Sequence, residues 1–264
     1  MPTTTSRDGT TIAFDQQGQG PAVVLISGGP ADRTSNAPLA ELLAERFRVL
    51  NYDRRGRGDS GDAPDWEPDR EYEDLAAVIA EAGGSAALIG NSGTGNIALE
   101  AAARGLPVNR LALWEPPYIL EGTRPPVPAD WGRRIDKLVA AGHPGNALQY
   151  WMTDIIGVPA EFIEPIRNEP FWLAMEPNAH MLSRDADLLR DFALPAERFA
   201  AITAPVLLLH GGSIPWLSEG LKALVEALPN ADLRTLQDQQ HDITPDVLVA
   251  AVGDFLTEGP RARQ

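Results

Sequence analysis

Between residues 85 and 102 the chain reads as a strand, a sharp turn and a helix. Ala86, Ala87, Leu88 and Ile89 form an apolar run too short for a helix and right for a buried strand. Small residues follow, with Gly90, Gly93 and Gly95 around Ser92. Ile97, Ala98, Leu99, Ala101 and Ala102 then begin a helical pattern. Such a turn lifts a serine hydroxyl above the end of a strand. The backbone at its apex is strained, so its neighbours must be small.

The same rhythm recurs along the chain. Residues 22–26, Ala-Val-Val-Leu-Ile, are continuously apolar, as a parallel strand covered on both faces must be. Further strands are expected over 47–52, 108–114, 204–210 and 231–236. Helical spacing is expected over 38–45, 72–82, 217–228 and 245–256. At the start, Asp8-Gly9 separates two β-prone runs and predicts a hairpin. This alternation predicts an α/β fold, a mostly parallel twisted sheet with helices on both faces. From 118 to 198 the alternation stops. Prolines recur there, and Trp131, Tyr150, Trp151, Met152, Phe162, Phe171, Trp172 and Met175 accumulate, most of them expected to pack helices. The expected organisation is a core of residues 1–117 and 199–264 with a helical insertion at 118–198.

Composition narrows the function classes. The 264 residues suit one domain with an insertion. The absence of cysteine excludes a disulfide framework, a thiolate metal site and a cysteine nucleophile. The first residues carry no apolar run of the secretory kind, and no apolar stretch reaches membrane-spanning length, so a cytoplasmic protein is expected. A net charge of −15 argues against nucleic acid or an anionic membrane as partner.

Ser92 has two readings from its surroundings alone, a helix N-cap or a nucleophile. As a nucleophile it needs a histidine to take its proton. His143 and His180 fall within 118–198, and His210 ends a buried strand, where a satisfied core residue is expected. His241 lies in the loop after the last strand, which in a parallel sheet emerges on the same edge as the turn at Ser92.

Gly90-Asn91-Ser92-Gly93-Thr94 resembles the nucleophile elbow, G-x-S-x-G, of the α/β-hydrolase family. Thr94 departs from the last glycine, and Gly95 stands one place later. The resemblance extends to Ser27-Gly28-Gly29-Pro30, in the place of the family's H-G-x-x, with Ser27 for the histidine. It implies that the amides of Gly29 and Gly93 bind an oxyanion. Residues 53–61 are similar to the family's D-x-R-G-x-G-x-S segment, which implies a structural loop and makes Ser60 a poor nucleophile. An anion site built from Arg54, Arg55 and Arg57 is the weaker alternative. The stretch 118–198 resembles the family's helical cap, and His241 stands in its position for the general base.

The acid breaks the common pattern. The family usually places an aspartate after the penultimate strand, but residues 211–216 carry no carboxylate before Glu219. Glu115, at the end of the preceding core strand, occupies the place used by some haloalkane dehalogenases and zearalenone lactonases. The latter pair it with a serine, and their strand end is similar to Leu113-Trp114-Glu115-Pro116. Glu115 is therefore the expected acid, with Asp238, Asp242 and Glu219 as alternatives.

The resemblance implies a serine hydrolase that cleaves a small, neutral, hydrophobic ester or lactone through an acyl-enzyme, with no metal and no cofactor. A serine at the elbow argues against dehalogenase or epoxide hydrolase chemistry, which requires an aspartate there. Two other readings fit the same scaffold: a non-hydrolytic ligand-binding protein, and a cofactor-independent lyase or cyclase.

Overall fold

The structure, a computed structural model, describes residues 1–257. Its eight strands are β1 (Thr3–Thr5), β2 (Thr11–Gln17), β3 (Ala22–Ile26), β4 (Arg48–Tyr52), β5 (Ala86–Asn91), β6 (Val108–Trp114), β7 (Val206–His210) and β8 (Ala231–Thr235). They form one sheet in the order β1-β2-β4-β3-β5-β6-β7-β8. The pairings β1–β2 and β2–β4 are antiparallel, and all the others are parallel. The Asp8-Gly9 turn joins β1 to β2 as the sequence predicts, with Gly9 at φ +90.

The chain separates into two compact units. The first comprises Met1–Gly28, Asp32–Arg124 and the segment from Ala193 onward, and the second comprises Gly29–Ala31 with Pro125–Phe192. In the first unit, α1 (Ala37–Leu43) and α10 (Pro245–Thr257) pack together. Their Leu39, Leu43, Leu248, Val252 and Phe255 join one core with Val23, Leu25, Val49, Ala87, Ile89, Ala112, Trp114, Leu207 and Leu209 of the sheet. Along each strand these are alternate residues, since successive side chains of a strand point to opposite faces. Elsewhere α2 (Asp69–Glu81) touches α3 (Gly93–Ala103), α3 touches α8 (Ala196–Phe199), and α8 touches α9 (Pro215–Ala227).

Residues 53–61 act as the sequence implies, as a structural loop. Arg54 and Arg55 are fully buried and make forked bonds to buried Glu71 and Asp74, with Arg54 Nε 2.9 Å from Glu71 and Arg55 Nη2 2.6 Å from Asp74. Arg57 also faces Glu71, at 3.9 Å. These guanidiniums are engaged internally, so the anion-site alternative fails. Ser60 Oγ donates to Asp53 O and accepts from Ala13 N–H, which fixes the loop against β2.

The second unit contains α4 (Trp131–Ala140), α5 (Pro144–Tyr150), α6 (Pro170–Met175) and α7 (Leu182–Leu189). A π-helical turn at Trp151–Ile156 continues directly from α5. Gly132 lets α4 approach α7, since a Cβ there would lie 2.8 Å from Ala186 Cβ. Trp131 stacks on Phe192 and donates its indole N–H to Arg190 O, and buried Trp172 donates to Glu176. These aromatics pack helices, but Phe162 and Phe171 are exposed. Among the described residues, no helix is long and apolar enough to cross a membrane.

Candidate active site

The pairing register brings the candidate residues of the first unit to one edge. Asn91 lies opposite Trp114, and Trp114 opposite Leu209. Ser92 and Glu115 therefore each stand one residue beyond the same paired row. His241 follows β8 on that edge.

Ser92 has φ +55 and ψ −133, and its side chain makes no cap bond to α3. Ser92 thus occupies the N-cap position of α3 on a strained turn, with its hydroxyl left out of the helix's capping bonds. The turn is held by Ser92 N–H donating to Trp114 O and Gly95 N–H donating to Ser92 O, both at 2.8 Å. Thr94, in place of the motif's last glycine, fits because its hydroxyl braces the turn. Thr94 Oγ1 donates to Asn91 O and accepts from Asn91 N–H, each at 2.9 Å. The close approach has moved one place along: a Cβ on Gly95 would lie 2.9 Å from Pro116 Cβ.

Glu115 is buried, at 1% exposure, with both oxygens engaged. Oε2 lies 2.6 Å from His241 Nδ1, and Oε1 accepts the Gly211 N–H at 3.0 Å. With the carboxylate at Nδ1, the imidazole carries its proton there and keeps Nε2 as the acceptor, the tautomer a general base needs. The alternative carboxylates do not reach the ring: Glu219 pairs with Lys222, and Asp238 and Asp242 make no bond to His241. No hydrogen bond joins Ser92 Oγ to His241 Nε2 among the described residues. Such contacts often tighten only when substrate is bound.

In the first unit, three non-glycine residues among those described have positive φ: Ser92, Glu115 at +49 and Asp238 at +61. All three lie in loops at this edge. Backbone of this kind costs about 1–3 kcal/mol per residue and persists only where the surroundings enforce it.

The other histidines have other surroundings. His210 is held at both ring nitrogens, by Ser218 Oγ at 3.2 Å and Thr235 Oγ1 at 2.9 Å, and burial keeps its pKa below the ordinary value. It is the satisfied core residue the sequence predicts. His143 and His180 belong to the second unit.

Gly93 opens α3, where its N–H is one of the helix's unsatisfied donors. Gly29 has φ +51 and falls in the second unit, where a Cβ on it would lie 3.0 Å from the Trp151 ring. Beside the edge is a cavity of about 230 Å³. Leu25, Ile26, Leu39, Ile89, Ile243 and Leu248 line it, together with Ser35, Asn36, Asn91 and Asp242. Asn91 precedes Ser92 and Asp242 follows His241.

Sequence reasoning missed Trp114. Its indole Nε1 donates to the His241 backbone carbonyl at 2.8 Å. The available signal was a tryptophan in a buried strand, whose N–H must find an acceptor.

A model of the alpha/beta hydrolase family matches residues 23–252. The chain is 45% identical to an alpha/beta hydrolase from Sphaerobacter thermophilus, with a TM-score of 0.93 over 97% of this chain and all of that one. It is 25% identical to a thermophilic esterase from Thermogutta terrifontis, with a TM-score of 0.75 over 97% of each chain. A 2-(acetamidomethylene)succinate hydrolase of Mesorhizobium japonicum is also 25% identical, over 93% of this chain and 91% of its own. With the eight-stranded, mostly parallel sheet and the serine elbow, these matches lead to one conclusion: the chain belongs to the alpha/beta hydrolase family.

Proposed function

We propose that this protein is a serine hydrolase that cleaves a small, neutral carboxylic ester or lactone through an acyl-enzyme. The observation that carries the reading is the 2.6 Å contact between Glu115 Oε2 and His241 Nδ1, formed on the same sheet edge as the strained elbow at Ser92. Ser92 Oγ attacks the carbonyl carbon as His241 Nε2 takes its proton. The tetrahedral oxyanion is bound by the amide of Gly93, at the start of α3. Loss of one such donor raises the barrier by about 3 kcal/mol. The imidazolium, stabilised by Glu115, protonates the leaving alkoxide. Water, deprotonated by His241, then attacks the acyl-enzyme and releases the acid and Ser92.

Two further points support the reading. The missing acid after β7 would suggest a decayed enzyme, but Glu115 supplies a carboxylate from the end of β6. The similar Thermogutta protein is an esterase.

The test is hydrolysis of p-nitrophenyl acetate and butyrate, combined with fluorophosphonate labelling located by peptide mass spectrometry. Acid release and a label on Ser92 are expected. Full turnover by Ser92→Ala would remove the reading.

A further inference from the structure

We infer that Trp114 is a positioning residue for the general base, setting where His241 stands relative to Ser92. The inference rests on the catalytic reading above and deepens it. Trp114 touches all three groups through different atoms. Its backbone carbonyl accepts the Ser92 N–H at 2.8 Å, and its indole N–H donates to the His241 carbonyl at 2.8 Å. It is also peptide-bonded to Glu115, whose carboxylate holds the His241 ring. The histidine is thus gripped at its backbone by residue 114 and at its side chain by residue 115. The same tryptophan ties the elbow to β6.

The loop that carries His241 packs Leu236 and Ile243 against the hydrophobic core, but among the described residues no other hydrogen bond reaches the His241 backbone. Between the end of β8 at Thr235 and the start of α10 at Pro245 there is no regular structure. One backbone bond, Leu236 N–H to His210 O, holds its start, and Gly211 packs directly on Gln239 O. The indole of Trp114 is fully buried, so its N–H must be bonded. The acceptor is the carbonyl of His241, so satisfying the indole and seating the loop are a single event. The ring of Trp114 also belongs to the hydrophobic core, which any large apolar residue would serve. The N–H is what separates positioning from packing.

The test removes only that donor. Trp114→Phe keeps an aromatic ring. If it folds poorly, benzothienylalanine at position 114 replaces the N–H by sulfur at nearly constant shape. Two quantities are measured in each full-length variant: kcat and KM on p-nitrophenyl butyrate, and the downfield NMR resonance of the proton between His241 Nδ1 and Glu115, assigned by its loss in His241→Ala. The expected result is a fall in kcat of about 10- to 100-fold, the scale of a misplacement near 1 Å, with KM unchanged and the resonance shifted or broadened. An unchanged kcat with an unchanged resonance overturns the positioning role. A rise in KM alone also overturns it, leaving a packing residue. Absence of fluorophosphonate labelling in the unmodified protein would overturn the hydrolase reading instead, and the resonance would still decide whether Trp114 holds the histidine.

Discussion

Gly211 donates its backbone N–H to Oε1 of Glu115 at 3.0 Å. The loop after β7, where the family usually carries its acid, here holds an acid that arrives from β6. The carboxylate is fixed by one donor from that loop and one from the His241 ring, so neither oxygen is left unpaired in a buried place.

This assignment predicts a clean separation among carboxylates. Glu115→Gln keeps the shape but loses the charge and favours the wrong imidazole tautomer. Its kcat should fall by about 10³- to 10⁴-fold with the fold intact. Asp238→Asn and Asp242→Asn should stay near the parent rate. Steady-state kinetics with circular dichroism decides, and an Asp variant as impaired as Glu115→Gln would move the acid elsewhere.

The contact beneath Gly211 predicts a stability effect. A Cβ there would lie 1.9 Å from Gln239 O, a backbone atom that cannot swing aside. Gly211→Ala must push the loops after β7 and β8 apart, at a cost of about 2–3 kcal/mol by the usual scale of overpacking. Urea unfolding measures it. Activity should fall further than stability, because the displaced segment carries His241.

The buried arginine network predicts a pH-dependent difference. Burial pushes the Glu71 carboxyl up, but Arg54, Arg57 and Arg55 outweigh it and hold its pKa below the ordinary value. A depressed carboxylate stabilises the fold above its unfolded pKa, and that contribution is lost as pH falls through the folded value. Glu71→Gln leaves buried guanidiniums short of a charge and should cost about 3 kcal/mol at pH 7. The gap to the parent protein should narrow as pH falls below 4.5, the ordinary glutamate value. Thermal melts from pH 7 to pH 3 would show it, and a constant gap would contradict the assignment.

Much of the first unit was legible because its strands are buried on both faces. The apolar run at 22–26 and the strand expected at 108–114 coincide with β3 and β6 to the residue. The run at 86–89 marks β5, which continues through Gly90 and Asn91. The second unit was less legible, because its segments are short and their boundaries depend on packing within the unit. Its compact part, Pro125–Phe192, is shorter than the 118–198 expected from the loss of alternation. Tyr118, inside that expected span, instead meets Phe199 edge to face in the first unit. Neither the 3-10 turn at Arg33–Asn36 nor the π turn at Trp151–Ile156 had a periodic signature to find.

By itself the sequence determined the parallel sheet, the small-residue turn at Ser92 and the edge on which His241 emerges. Each follows from local patterns: apolar runs, glycine spacing and chain direction. Only the tertiary structure decided which carboxylate meets the imidazole, why Thr94 is tolerated, and that Trp114 binds the histidine's carbonyl. Those contacts join atoms up to 127 positions apart, and angstrom-scale distances between loops depend on strand register and side-chain reach, which no local pattern encodes.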